Sequence, residues 1–205
     1  MYSNSPIIGG IFTFLVRLAG IEPVRVSPLD PKSSASASSA IGAALLFNNN
    51  YLYRASYFSI INDMKKIIFV CHGNICRSVA AEYIMKSLTN NFVIESRATS
   101  LEEIGNDIYP PMKRELFKNN IPFDRHYAKR IDYSDYESSD YIFYMDDENR
   151  YMLERMFPNS NKIYPIYQYS KDIYEIEDPW YTGRFDKVVS QIEQCVNDIL
   201  NNIDK

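Results

Sequence analysis

The eight residues Cys71-His72-Gly73-Asn74-Ile75-Cys76-Arg77-Ser78 constrain this chain more than any other stretch. Ahead of them Ile67–Val70 is a β-rich apolar run. Behind them Val79, Ala80, Tyr83, Ile84 and Leu88 recur at helical spacing. A short loop between strand and helix can turn its backbone N–H groups inward as an anion nest. The helix beginning near Ser78 adds the positive end of its dipole. Gly73 tolerates the unusual dihedrals that such a loop needs. Arg77 brings a planar fork of donors suited to two phosphate oxygens. A cysteine in this field is favoured as thiolate, and Ser78 can donate a hydrogen bond to it. Cys71 is thereby a candidate nucleophile facing a bound tetrahedral oxyanion. Each residue alone has a blander reading: a cysteine that fills space at a strand end, or an arginine on a solvated helix start. A metal site at Cys71 and Cys76 lacks a second Cys/His pair at ligand spacing. The full spacing between a strand and a helix is far more specific than its parts.

A rhythm continues beyond the loop. Phe92–Ile94 is strand-like, Pro111–Asn119 helical, Tyr141–Met145 strand-like, Glu148–Met156 helical and Ile163–Ile166 a short strand. Arg184–Leu200 carries Phe185, Val188, Val189, Ile192, Val196, Ile199 and Leu200 on one helical face. Short continuous apolar strands alternating with helices predict an α/β fold. The expectation is a doubly wound, four-stranded parallel sheet with helices on both faces and the phosphate loop after the first strand. Ligands in such folds sit beyond the C-terminal ends of strands, where Cys71 falls.

The rest of the composition narrows the partners. An apolar fraction of 46% supports a real core. The net charge of -4, with no Lys/Arg-rich run, leaves no basic footprint for nucleic acid. No run of 18 apolar residues exists, so no membrane-spanning helix is expected. Three cysteines, Cys71, Cys76 and Cys195, are not a disulfide framework and fit a reducing compartment such as the cytoplasm. Residues 1–63 differ from the remainder: they hold four basic and three acidic residues, the Ser/Ala-rich run Ser33–Ser39, and no consistent period. They are expected to be an N-terminal extension, either disordered or the product of a misassigned start with Met64 as the true first residue; an export or anchor segment is a third reading, against which no Lys or Arg precedes Arg17. Residues 64–205 form the expected single domain.

Val70–Ser78 resembles the signature loop of the low-molecular-weight protein tyrosine phosphatases, and the likeness runs from about Met64 to Leu200. Ala98-Thr99-Ser100 with Glu103-Ile104-Gly105-Asn106 resembles the family's second loop bordering the site. Met145-Asp146 with Asn149 resembles its strand-end motif, and Asp178-Pro179-Trp180-Tyr181 the loop carrying its general acid. The resemblance implies Cys71 as nucleophile, Arg77 as phosphate clamp and Asp178 as general acid and base. Read alone, Asp178-Pro179 is a turn signal, with Pro179 holding Asp178 out of helical conformation. The resemblance further implies that His72, Gly73, Asn74, Ile75, Cys76 and Ser78 form the phosphate cradle. Trp180 and Tyr181 would be an aromatic wall, and Asn74, Ser96 and His126 would tie the loop in shape.

Ile75 leans the slot toward phosphotyrosine, because some relatives that prefer phosphoarginine carry a smaller polar residue there. Glu102 lies where many relatives have an aromatic, which makes that wall more acidic. Val79 stands where many relatives have proline, and Arg97 has no account at this level. The implied partner is a phosphotyrosine-containing protein or a small aryl phosphate, with no metal and no cofactor. The alternatives are a phosphatase of other phosphoresidues such as phosphoarginine, an arsenate reductase, or a non-catalytic phosphate-binding module. Arsenate reduction needs further cysteines, and none lies between Cys76 and Cys195. Cys76, within the same curled loop, could join Cys71 reversibly on oxidation and protect it.

Overall fold

Strand β1, Lys66–Cys71, organises the structure, a computed structural model that describes residues 64–203. The N-terminal extension anticipated before Met64 lies outside the described residues. Ile67, Ile68, Phe69 and Val70 are all fully buried. Alternation sends Ile67, Phe69 and Cys71 into one core cluster and Ile68 and Val70 into another. At about 1.5–3 kcal/mol for each large buried side chain, this strand is expensive to shift by even one residue. Its register therefore fixes where Cys71 emerges.

β1 pairs in parallel with β2, Val93–Ala98, on one side and with β3, Tyr141–Tyr144, on the other. β4, Ile163–Pro165, pairs in parallel with β3, giving the order β2-β1-β3-β4. The expected four-stranded parallel α/β sheet is thus observed, and its helices cover both faces. On the larger cluster's side lie α1, Arg77–Leu88, α2, Pro110–Lys118, and α6, Phe185–Asn202. On the other lie α3, Tyr133–Ser138, and α4, Asp147–Met156. A single turn, α5, Pro179–Thr182, precedes α6.

Two elements depart from the pattern of apolar periods. β2 runs four residues beyond Ile94, because Glu95 and Arg97 alternate with buried Ser96 and Ala98 on an edge strand. Arg97 is accounted for there: it grips both carboxylate oxygens of Asp135, each at 2.7–2.8 Å, and also pairs with Glu95. α3 has no clear apolar period. A capping box sets it instead, in which Asp132 accepts from the N–H of Asp135 and Asp135 accepts from that of Asp132. Among the described residues no helix is long and apolar enough to cross a membrane.

Candidate active site

The loop from Cys71 to Arg77 is wrapped by the C-terminal ends of both strands that flank β1. Thr99 N–H donates to Cys71 O at 2.9 Å, and Ser100 N–H to His72 O at 3.0 Å. Cys71 is 3% exposed. Its Sγ accepts from Asn74 N–H at 3.3 Å and lies 3.1 Å from Ser78 Oγ. Both groups can donate to a thiolate, the form that attacks. α1 begins at Arg77 with no side-chain cap, so the first turn's N–H groups are left for an anion.

The loop is shaped by Asn74 rather than by Gly73. Asn74 has φ +58, in the left-handed region, whereas Gly73 does not. Gly73 is tight for a different reason: a Cβ there would stand 3.0 Å from Glu103 Cγ, so the glutamate side chain would have to give by a few tenths of an ångström. Asn74 is fully buried with every polar atom used. Its Nδ2 donates to Ser78 Oγ at 3.0 Å and Ser96 Oγ at 2.8 Å, and its Oδ1 accepts from Lys129 N–H at 3.0 Å. His126 Nε2 lies 2.8 Å from Asn74 O and 3.2 Å from its Oδ1. Both are acceptors, so this nitrogen carries the proton. Burial holds the His126 imidazole below its ordinary range, against the pull of that hydrogen bond. Ser96 in turn donates to Glu82, and Glu82 pairs with Lys86.

Arg77 is 2% exposed and joins two carboxylates. Nη1 donates to Asp146 and to Ile176 O, the latter at 3.0 Å; Nη2 donates to Asp178 Oδ2 at 2.6 Å. Burial alone would make the guanidinium easier to discharge, but Cys71, Asp146 and Asp178 outweigh it and hold it charged more firmly than usual. Asp146 is the N-cap of α4, accepting from Asn149 N–H at 2.7 Å. Asp178 is the N-cap of α5, its Oδ1 accepting from Trp180 N–H at 3.0 Å. Ile176 N–H donates to Met145 O, which anchors the segment that carries Asp178 to the end of β3. Cys76 is buried beside the site, and burial, with Cys71 and Asp178 adding to it, pushes its thiol well above the ordinary range.

Cys71, Asn74, Arg77, Ser78, Ser96, His126 and Asp178 thus converge, and Ile75 and Cys76 are buried in the same loop. The His72 side chain turns outward, with Nε2 3.0 Å from Glu102 and Nδ1 4.0 Å from Glu148. Tyr181 is 86% exposed, whereas the half-exposed Trp180 ring lies 4.8 Å from that of Tyr109. Sequence reasoning missed Glu82 and Tyr109, and named Asp146 without its partner. Glu82 was accessible, since it lies four residues after Ser78 on one face of α1; Tyr109 gave no signal. Among the described residues no group of three or more His, Cys, Asp or Glu side chains is arranged to hold a metal ion.

Comparison with known proteins converges on one family. The family model described as low molecular weight phosphotyrosine protein phosphatase matches residues 66–205. The chain is 32% identical over 152 residues to the low molecular weight protein-tyrosine-phosphatase YfkJ of Bacillus subtilis, covering 69% of this chain and 97% of that protein. It is 30% identical over 150 residues to PtpA of Staphylococcus saprophyticus, named likewise, covering 69% and 96%. Among solved structures, the low molecular weight protein tyrosine phosphatase SP-PTP from Streptococcus pyogenes superposes with a TM-score of 0.64 at 36% identity. That match covers 68% of this chain and 93% of the other.

Proposed function

The chain belongs to the low molecular weight phosphotyrosine protein phosphatase family, and from that premise we propose that it hydrolyses phosphotyrosine through a phosphocysteine intermediate. In the first step Cys71 Sγ attacks phosphorus in line with the ester oxygen. The P–O bond to the phenol breaks as Asp178 gives its proton to the leaving oxygen. In the second, Asp178 takes a proton from water, the water oxygen attacks phosphorus, and the P–S bond breaks to release inorganic phosphate and the thiolate. Arg77 and the loop N–H groups hold the equatorial oxygens, where charge must be balanced. The partner is accordingly a phosphotyrosine-containing protein or a small aryl phosphate.

The observation that carries this reading is the 2.6 Å contact between Arg77 and Asp178, 101 positions apart in sequence. It supports the reading because Arg77 as phosphate clamp and Asp178 as proton donor would then serve one site. Ile75 offers the slot an apolar side chain, which suits an aromatic ester better than a guanidinium. Arsenate reduction would need another thiol to relay a disulfide. Cys195 is fully buried in α6, with its thiol pushed up to about 12 by burial, which speaks against such a relay.

The test compares wild type with Cys71→Ser and Asp178→Asn on phosphotyrosine, phosphoserine, phosphoarginine and an aryl phosphate. Turnover of phosphotyrosine that vanishes in Cys71→Ser, and falls about 100-fold or more in Asp178→Asn, is the expected result. A wild type without turnover, or a Cys71→Ser variant that retains it, refutes the proposal.

A further inference from the structure

Tyr109 occupies a junction that the two-step mechanism does not use. Its backbone N–H donates to Ile75 O in the phosphate loop at 2.9 Å. Its ring lies 4.8 Å from the Trp180 ring at 47° and 5.9 Å from the Phe185 ring at 37°, both within the range of attractive aromatic pairs. Among the described residues Tyr109 is the one aromatic ring that meets Trp180. Pro110 and Pro111 follow at the start of α2, which restricts the backbone that aims the Tyr109 ring.

Trp180 passes this contact on to the proton donor. The ring rests on Tyr109, and the N–H of the same residue donates to Asp178 Oδ1 at 3.0 Å. α5 is a single stiff turn, with Pro179 at its start and Gly183 at its end. Gly183 has φ +68, and its N–H donates to Pro179 O at 2.9 Å. A displacement of the Trp180 ring therefore carries the Asp178 carboxyl with it. Ion pairs of Glu177 with Arg184 and Lys187 tie the two ends of the segment together. They do not tie it to the phosphate loop. Arg77 does so directly, through Asp178 and Ile176 O, and Tyr109 adds a second tie, since it touches the loop with its backbone and the acid segment with its ring.

We infer that Tyr109 is a positioning residue that keeps Asp178 in register with the phosphate loop through Trp180. This rests on the reading of Asp178 as general acid. An aromatic pair of this kind biases a two-state equilibrium roughly three- to tenfold, which sets the size of effect to look for. It acts on the step in which the leaving oxygen is protonated, so it depends on how basic that oxygen is.

The experiment measures kcat/KM over a series of aryl phosphates whose phenols range from acidic to weakly acidic. Wild type is compared with Tyr109→Phe, Tyr109→Leu, Tyr109→Ala, Trp180→Ala and Asp178→Asn. Tyr109→Phe is expected to match wild type, because the ring and not the hydroxyl makes the contact. Tyr109→Ala and Tyr109→Leu are expected to lose about three- to tenfold on phenyl phosphate and little on a nitro-substituted ester that needs no proton. Adding Tyr109→Ala to Trp180→Ala is expected to cause no further loss. Leucine keeps the site filled, so a fall confined to Ala and uniform across the series overturns the inference as a packing effect. If Asp178→Asn shows the leaving-group dependence and the Tyr109 variants do not, the inference fails and the acid assignment stands. If Asp178→Asn shows none, both fall.

Discussion

Replacing Asn74 separates backbone strain from hydrogen bonding in the phosphate loop. Asn74 has φ +58 and is fully buried, with four side-chain hydrogen bonds: to Ser78, Ser96, Lys129 N–H and His126. Asn74→Gly keeps the left-handed backbone without strain and deletes the amide. Ser78 and Ser96 are hydroxyls that can rotate to other partners, and His126 retains Asn74 O. Lys129 N–H is left with no such choice. A buried donor without an acceptor costs about 1–3 kcal/mol, and the lost contacts to serine add about 0.5–1.5 kcal/mol each. The expected destabilisation for Asn74→Gly is therefore about 2–6 kcal/mol. Asn74→Ala carries the same loss plus about 1 kcal/mol, because alanine lacks the short polar side chain by which asparagine tolerates the left-handed region. Urea unfolding followed by circular dichroism measures both. The second readout is turnover of an aryl phosphate, which should fall further than stability alone explains, because Asn74 N–H also faces Cys71 Sγ. An Asn74→Gly variant within 1 kcal/mol of wild type refutes the claim that this side chain holds the loop. An Asn74→Ala variant equal to Asn74→Gly refutes the strain argument alone.

His126 makes stability depend on pH. Its folded value is depressed by burial, so the folded protein binds fewer protons than the unfolded chain, whose histidine titrates near about 6.5. The stabilisation is present above the unfolded value and is lost as pH falls through the folded one. The urea midpoint should drop below about pH 6.5, and His126→Gln should flatten that part of the drop; parallel curves count against it. Cys76 is held as a buried thiol, ready to condense with an oxidised Cys71 sulfenic acid and release water. Peroxide followed by dithiothreitol should restore wild type and leave Cys76→Ser largely dead, whereas equal recovery would exclude the disulfide. Glu102, on the rim beside His72, should repel acidic substrates. Glu102→Lys is expected to raise kcat/KM for acidic phosphopeptides several-fold at low salt, with the gain shrinking as salt rises; a salt-independent or absent change counts against it.

The parts legible in the sequence are those in which neighbours along the chain are also neighbours in space. Cys71, Arg77 and Ser78 lie on one strand-loop-helix unit, so their spacing alone carried the anion cradle. The same local reading gave the wrong residue for the strained backbone. Glycine is the default for a left-handed position, but asparagine tolerates it when its amide is fully bonded, and Asn74 is. The second half of β2 was hidden because a polar edge strand carries no apolar run. α3 was hidden because its signal is Asp132 three residues before Asp135, a cap rather than a period. Asp178 was accessible only through family resemblance, and Tyr109 not at all. Both are placed by contacts across loops that no periodicity encodes.

The sheet order explains why those distant residues meet. β1 is flanked by β2 and β3, and connections leave it toward opposite sides, which opens a crevice at its C-terminal end. Cys71 pairs with Ala98 at the end of β2, and Val70 with Tyr144 at the end of β3. The chain leaving β2 therefore runs past the phosphate loop as Thr99 and Ser100. The chain leaving β3 reaches it as Asp146, one residue beyond Met145. Asp178 follows from the second of these contacts: Ile176 bonds both Met145 O and Arg77, and two residues later Asp178 meets Arg77 Nη2. A fold that buries β1 between two parallel neighbours thus fixes three of the site's four walls. The fourth, the segment bearing Asp178, is held by Arg77 and by the docking of Trp180 on Tyr109, and it is the part of the site on which substitutions remote from Cys71 should act most strongly.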